Sequence, residues 1–195
     1  MNARFEEALR RFDAENASDP NILLVNGREI PRELFYAERL SYWIGRLDPN
    51  ASEALKLAAR CQHIRRWEIP RSAYQIGKAG YHKWRTALKA FHADLSGRIL
   101  GECGYGPEMV ESVQALNLKK NFPADHDSRT LEDGLCLVFL EQQLGELAGK
   151  TAEEKVINAL RKSWAKMTDN GRRLALELPL GEPEKQLITK AIGLG

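Results

Sequence analysis

Apolar residues spaced three or four positions apart recur along almost the whole chain, and no feature constrains the fold more. Within about residues 81–102, one such stripe is formed by Trp84, Leu88, Phe91, Leu95 and Ile99. This spacing places apolar side chains on one face of an α-helix, whereas a half-buried β-strand would need alternation. Comparable spacing elsewhere in the chain predicts an all-α fold of about eight helices.

Helix start and stop signals give the expected bounds. The predicted helices cover about residues 3–16, 31–47, 52–68, 81–102, 107–117, 130–147 and 151–167, with a last short helix after residue 183. Pro31 suits the first turn of the second helix, and Thr151 with Glu154 predicts a capping box. The run Ile22–Val25 has the composition of a strand, but no partner strand is apparent. We therefore predict an irregular segment there, followed by an Asn-Gly turn.

Composition places the chain in a broad class. A length of 195 residues fits one domain, and 43% hydrophobic with 29% charged residues is typical of a soluble globular protein. The formal net charge of +2 is too small to favour nucleic acid as a partner. Three scattered cysteines without a CxxC pair indicate reduced thiols and a cytoplasmic protein. No apolar run approaches the roughly 18 residues of a membrane span, so we expect no membrane partner. The oligomeric state is not indicated.

Polar residues concentrate at the end of the third predicted helix, in the stretch LKLAARCQHIRRWEIPR at 55–71. The candidate site residues in it are Gln62, His63, Arg65, Arg66, Trp67 and Arg71. On a helical wheel Arg65 falls in the middle of the apolar arc, and a buried guanidinium needs a partner. Glu141, on a helix that is apolar on all sides, is the expected partner of Arg65 or His63. The pair would be structural or would orient a catalytic histidine, with the structural interpretation slightly favoured.

A second set of candidate residues lies on later segments. Arg85, Lys89 and His92 follow one border of the fourth predicted helix, and Lys120 belongs to a basic pair that ends the fifth. Such residues are most often surface cations with buried stems, but they could also face the same cavity as His63. Cations that surround a cavity would bind phosphate or sulfate through charge-assisted hydrogen bonds. Tyr81 could stack on a ring of the ligand or pack in the core.

The order of these elements resembles the HD domain, a helical phosphohydrolase fold. The matching segments are 36–40, 57–64, 92–97 and 137–141. The resemblance implies an HD-like core at 31–147, flanked by helical extensions at 1–30 and 148–195 of a single domain. HD enzymes hold a metal with imidazoles and carboxylates, but here Tyr36 stands in place of the first histidine and Gln62-His63 replaces the His-Asp pair. We therefore expect no metal and no other cofactor.

The whole chain also resembles an uncharacterised domain-of-unknown-function family. The hallmarks are QHIxRWxIPR at 62–71, WR…FHA at 84–93, LED…CLVFLE at 131–141 and a Trp-x-x-Met at 164–167. This second resemblance implies no activity.

These observations favour a protein that binds a phosphorylated or otherwise anionic small molecule or nucleotide. The predicted ligand-binding residues are Gln62, Arg65, Arg66, Trp67, Arg71, Tyr81, Arg85, Lys89 and Lys120. The alternatives are a phosphohydrolase or transferase acting on a phosphate ester, an RNA-binding protein and a scaffold. For an enzyme, the predicted catalytic residues are His63, His92 and Glu141.

Overall fold

The computed structural model describes residues 3–193, and it confirms the predominantly all-α fold. In this part of the chain there are ten α-helices, two single-turn 3-10 helices and one two-stranded sheet. The helices are α1 Ala3–Asn16, α2 Arg32–Leu47, α3 Glu53–Cys61, α4 Lys78–Glu102, α5 Pro107–Leu118, α6 His126–Gln142, α7 Leu144–Lys150, α8 Glu153–Lys166, α9 Asp169–Leu176 and α10 Glu182–Ile192. The strands are β1 Ile22–Val25 and β2 Arg28–Pro31, and the 3-10 helices are Arg66–Glu68 and Arg71–Ala73.

The prediction of an irregular segment at Ile22–Val25 was wrong, because this run pairs with β2 in an antiparallel hairpin. The connecting residues Asn26 and Gly27 both have positive φ, +51° and +76°, as a tight hairpin turn requires. The partner strand reads REIP, so its charged composition hid it from a search for a second apolar run.

The predicted third helix is the segment that differs most from its expected bounds. It was expected to reach about residue 68, but α3 ends at Cys61. Arg65 takes a left-handed conformation with φ +49°, and its backbone N–H donates to Asn16 Oδ1 at 3.1 Å. The chain then continues into the 3-10 helix Arg66–Glu68. A helical wheel therefore does not apply to the residues beyond Cys61, and it gives the wrong orientation for their side chains.

The C-terminal half follows the prediction with four corrections. The expected helix at 130–147 is two helices, and α6 begins earlier because Asp125 caps it by accepting from Ser128 N at 2.7 Å. The capping box at Thr151 does not form, since the residue before α8 makes no side-chain cap. Helix α9 was not predicted at all. It begins after Thr168, whose hydroxyl caps its first turn and whose backbone N–H donates to the buried Asp133.

Helix α6 lies at the centre of the molecule, as its apolar sequence predicts. It packs against α2, α3, α5, α8 and α9, and α4 packs along α5. One large cleft is bordered by the beginnings of α2 and α4, by the residues after α3 and α5, and by helices α6, α7 and α8. Over residues 3–193, no helix combines the length and the apolar character that a membrane span requires.

Candidate functional site

The cleft has a volume of about 640 Å³, within the range of small-molecule sites. Its charged lining contains twice as many cations as carboxylates. The cations are Arg32, Arg66, Arg85, Lys119, Lys150 and Lys166, and the carboxylates are Glu33, Glu132 and Glu146. The apolar wall between them includes Leu40, Leu135, Val138, Phe139 and Leu147. The cleft therefore combines an excess of positive charge with an apolar surface.

Two arginines that line the cleft, Arg66 and Arg85, have no ion-pair partner within residues 3–193. The half-buried Arg66 has its guanidinium carbon 5.2 Å from the centroid of the Trp84 ring, and Trp84 is held by a hydrogen bond from Nε1 to Ile69 O at 2.8 Å. Arg85, one residue further along α4, is also half-buried. Burial lowers the pKa of Arg66. The nearby carboxyl group of Glu33 opposes this effect on the pKa, and Arg85 and Arg32 add to it.

Two lysines that line the cleft are already partly neutralised. Glu132 is 5% exposed and accepts hydrogen bonds from Lys119 and, at 3.2 Å, from Lys166. Burial acts to raise the pKa of Glu132, but the two ammonium groups together outweigh burial and hold it below its ordinary value. Arg66 and Arg85 are therefore the better candidates for contact with an anionic ligand.

His63 faces the cleft, and His92 lies behind it with 5.9 Å between the ring centroids. His92 is buried, with Nδ1 at 2.8 Å from Ile64 O. A carbonyl oxygen only accepts, so Nδ1 carries the hydrogen. Burial lowers the pKa of His92 to about 4, and burial with nearby Arg66 lowers that of His63 well below its ordinary value. Both imidazoles are therefore neutral at neutral pH.

Glu33 is one of several charged cleft residues that the sequence did not reveal, and it is the most deeply buried of the three carboxylates. It is 3% exposed, and its Oε2 has no hydrogen-bond partner in residues 3–193. Burial raises its pKa to about 7, although the positive charges of Arg66 and Arg32 oppose the rise. In the sequence, Glu33 is an acidic residue in the first turn of a helix, which is a common surface feature. No local signal could have shown that its side chain is buried beside arginines.

Of the predicted site residues, four line the cleft: His63, Arg66, Tyr81 and Arg85. Gln62 and His92 are buried next to it. Arg65, which was expected to be buried and paired with Glu141, is partly exposed and pairs with Glu15 at 3.4 Å and with Glu68. That prediction was wrong because α3 ends before Arg65 and the arc of the wheel does not extend to it.

Four further candidates lie outside the cleft lining. Arg71 donates to the carbonyl oxygens of Tyr74 and Gln75, both at 2.9 Å, and so braces the loop before α4. The structure brings Lys119 to the cleft rather than its neighbour Lys120, which is exposed. The remaining two, Trp67 and Lys89, are half-buried.

Glu141 belongs to a separate polar cluster. It accepts two hydrogen bonds from Arg39, at 3.0 and 2.6 Å, and one from Trp43 Nε1 at 3.0 Å. The predicted pairing with Arg65 or His63 was wrong, and the catalytic role predicted for Glu141 finds no support in its position. Arg39 and Trp43 are four residues apart on α2, so both present donors to the same carboxylate.

The described residues contain no group of three or more His, Cys, Asp or Glu side chains that could hold a metal ion. Of the positions that the HD resemblance assigned to ligands, Tyr36 and His63 line the cleft, whereas Glu141 lies outside it.

No curated protein and no solved structure matches the chain. These comparisons do not show the HD-domain resemblance, which stays a prediction. The model of the family described as "Domain of unknown function (DUF4202)" matches residues 6–188. The match spans nearly all of the chain and confirms the resemblance to a domain-of-unknown-function family. The chain belongs to this family.

Proposed function

We propose that the protein binds a phosphorylated or otherwise anionic small molecule in the cleft. The observation that carries the proposal is the pair Arg66 and Arg85, two half-buried guanidinium groups that have no ion-pair partner within the described chain. Removing a cation from water is costly unless an opposite charge contacts it. Glu33 lies near Arg66 but forms no salt bridge with it, so an anionic ligand would supply the missing contacts. Planar guanidinium groups also match the oxygens of phosphate in bidentate geometry.

The size and chemistry of the cleft support an organic ligand with an anionic group. A cleft of about 640 Å³ is far larger than a phosphate ion, and its apolar wall offers contact to a carbon skeleton. Tyr36, Tyr81 and Phe139 add aromatic rings to that wall. A ligand with one phosphorylated end and a partly apolar body would use both parts of the cleft.

Binding is favoured over hydrolysis or group transfer because the available imidazoles are poor bases. The lowered pKa of His63 and of His92 means that neither accepts a proton readily at neutral pH. RNA binding is less favoured because the positive charge lies inside a cleft and the net charge is only +2.

The proposal is tested by thermal unfolding with and without inorganic phosphate and pyrophosphate. Binding at about a hundred times Kd is expected to raise the Tm of the wild type by roughly 5–10 °C. Arg85→Gln should lose most of this shift, since it removes an unpaired donor. Arg98→Gln is the matched control, because Arg98 is an exposed residue on the same helix and pairs with Asp94. Equal shifts in the two variants would overturn the proposal.

The separate position of Glu141 gives a second expectation. Glu141→Gln weakens the hydrogen bonds from Arg39 and Trp43 and should lower the free energy of unfolding by about 1–2 kcal/mol. Because Glu141 does not line the cleft, the phosphate-induced shift in Tm should stay at its wild-type size. Urea denaturation gives the first quantity and the thermal assay the second. A lost phosphate shift in the folded variant would return Glu141 to the site.

A further inference from the structure

A buried carboxyl group in a cleft that attracts anions is an unusual combination. Glu33 lines the same cleft as Arg66 and Arg85, and its negative charge would repel a ligand that these arginines attract. The contact to Arg32 is long, with 3.6 Å between Arg32 Nε and Glu33 Oε1. Glu33 Oε2 is shielded from water and has no hydrogen-bond partner among residues 3–193. A buried carboxyl oxygen is costly in this state unless something else completes its hydrogen bonds.

The ordinary explanation for an acidic residue in the first turn of a helix does not account for Glu33. Such a residue usually interacts with the free N–H groups of the helix start. Here the Glu33 N–H itself donates to Asp19 Oδ2 at 2.9 Å, so Asp19 supplies an acceptor at the start of α2. The Glu33 side chain turns instead toward the cleft wall, where the charges acting on it are Arg66, Arg32 and Asp19.

We infer that Glu33 accepts a hydrogen bond from a hydroxyl group of the anionic ligand, so the cleft selects an oxyanion that carries such a hydroxyl. The inference rests on the proposed function and names the class of ligand more narrowly. The hydroxyl sits on the phosphorus atom or on a carbon atom close to it. A ligand that lacks the hydroxyl leaves the buried carboxylate unpaired and faces its charge directly, so it binds more weakly.

Inorganic phosphate and sulfate form a matched pair of probes for this selection. At about pH 8 both are mainly dianions of similar size, but phosphate keeps one hydroxyl and sulfate has none. Arg66 and Arg85 attract both ions, so a difference in affinity reports on the hydrogen bond to Glu33. The titrations are made by isothermal calorimetry in Tris at constant ionic strength, because charge screening would otherwise differ between the two salts.

The wild type is expected to bind phosphate at least about tenfold more tightly than sulfate. Glu33→Gln should lose this preference, chiefly by binding sulfate more tightly, because the amide NH₂ donates to either ion and the negative charge is gone. Glu38→Gln, an exposed position on the same helix, should keep the wild-type preference. Equal affinity for the two ions in the wild type, or an unchanged preference in Glu33→Gln, would overturn the inference.

A second pair of probes identifies the hydroxyl. Glycerol 3-phosphate and propyl phosphate have the same carbon chain, and at about pH 8 neither keeps a hydroxyl on phosphorus. If glycerol 3-phosphate binds about tenfold more tightly, and only when Glu33 is present, the hydroxyl is on carbon. If the two bind alike and both more weakly than inorganic phosphate, the hydroxyl is on phosphorus. Failure of the proposed function looks different, because then no anion binds the wild type better than it binds Arg85→Gln.

Discussion

Replacing Glu33 by Gln is expected to stabilise the protein by about 2–3 kcal/mol at pH 8. The pKa of this carboxyl is about 7 in the fold and 4.5 as its ordinary value, because burial disfavours the charged form. Between these two values the folded chain holds a proton that the unfolded chain has released. The contribution of Glu33 to stability is therefore present below pH 4.5 and is lost as the pH rises through 7. The neutral amide of Gln avoids this loss.

Urea denaturation of the wild type and Glu33→Gln at pH 8 and at pH 4.5 measures the effect. The stabilising effect of the substitution should nearly disappear at pH 4.5, where Glu33 is protonated in the fold. Glu38→Gln serves as the control. Glu38 is exposed and its 3.5 Å ion pair with Arg60 is loose, because Arg60 is also held by Asp13 at 2.8 Å. Its substitution should therefore change stability by less than about 1 kcal/mol at either pH. A destabilising effect of Glu33→Gln at pH 8 would show that the carboxylate has a structural partner.

A residue that lowers stability at neutral pH needs a reason other than the fold. Sites that bind or react commonly hold groups whose environment disfavours them, and the rest of the structure offsets the cost. Arg66 fits the same description, since it is half-buried without an ion-pair partner in the described residues. Glu33 and Arg66 each offset only part of the other's charge. A ligand with both an anionic group and a hydroxyl would contact Arg66 through the first and Glu33 through the second.

The helices could be predicted from the sequence because the spacing of apolar residues within one helix shows which face is packed. The stripe that begins at Trp84 and the apolar core of α6 each needed only a window of some twenty residues to recognise. The hairpin could not be predicted in this way. Pairing of β1 with the charged strand Arg28–Pro31 depends on backbone hydrogen bonds and on the turn, not on apolar alternation. Helix α9 was missed because its anchor, Asp133, comes from a distant segment.

The site was predicted in part, for a related reason. His63, Arg66 and Arg85 were recognisable because their residue types are unusual beside apolar helices. The partners of Arg65 and Glu141 could not be recognised, because they depend on where each helix ends and on how each helix is oriented about its axis. A single residue, Arg65, in the left-handed conformation redirected the chain and moved its guanidinium from the expected core to Glu15 on α1. Tertiary placement of this kind leaves no trace in local spacing.

The buried His92 is expected to make the protein sensitive to acid, by about 3 kcal/mol between pH 6.5 and pH 4. Its pKa is lowered from 6.5 to about 4, mainly by burial, with Arg66 and Arg85 adding to the effect. Between these pH values the imidazole of His92 binds a proton in the unfolded chain but stays neutral in the folded chain. The free energy of unfolding therefore falls as the pH falls. Glu33 acts in the opposite direction over part of the interval, and His63 acts in the same direction as His92. Variants are therefore needed to separate these contributions.

His92→Asn isolates the histidine contribution, because the Asn amide reproduces the donor to Ile64 O and does not titrate. Relative to the wild type, the variant should lose some packing energy at pH 7 and should show a smaller fall in stability toward pH 4. His82→Asn, at an exposed position on the same helix, should keep the acid sensitivity of the wild type. An unchanged pH dependence in His92→Asn would mean that His92 takes up its proton in the folded state.

Bound sulfate is expected to reduce this loss of stability in acid if the anion occupies the cleft. Protonation of His92 and of His63 is disfavoured partly by the positive charges of Arg66 and Arg85. An anion held by these arginines cancels that repulsion and makes protonation of the imidazoles less costly. Saturating sulfate, which does not titrate in this range, should therefore reduce the fall in stability between pH 6.5 and pH 4 in the wild type. The reduction should be absent in Arg85→Gln and retained in Arg98→Gln, measured by urea denaturation at matched ionic strength. A reduction of equal size in both variants would place the bound anion away from this cleft.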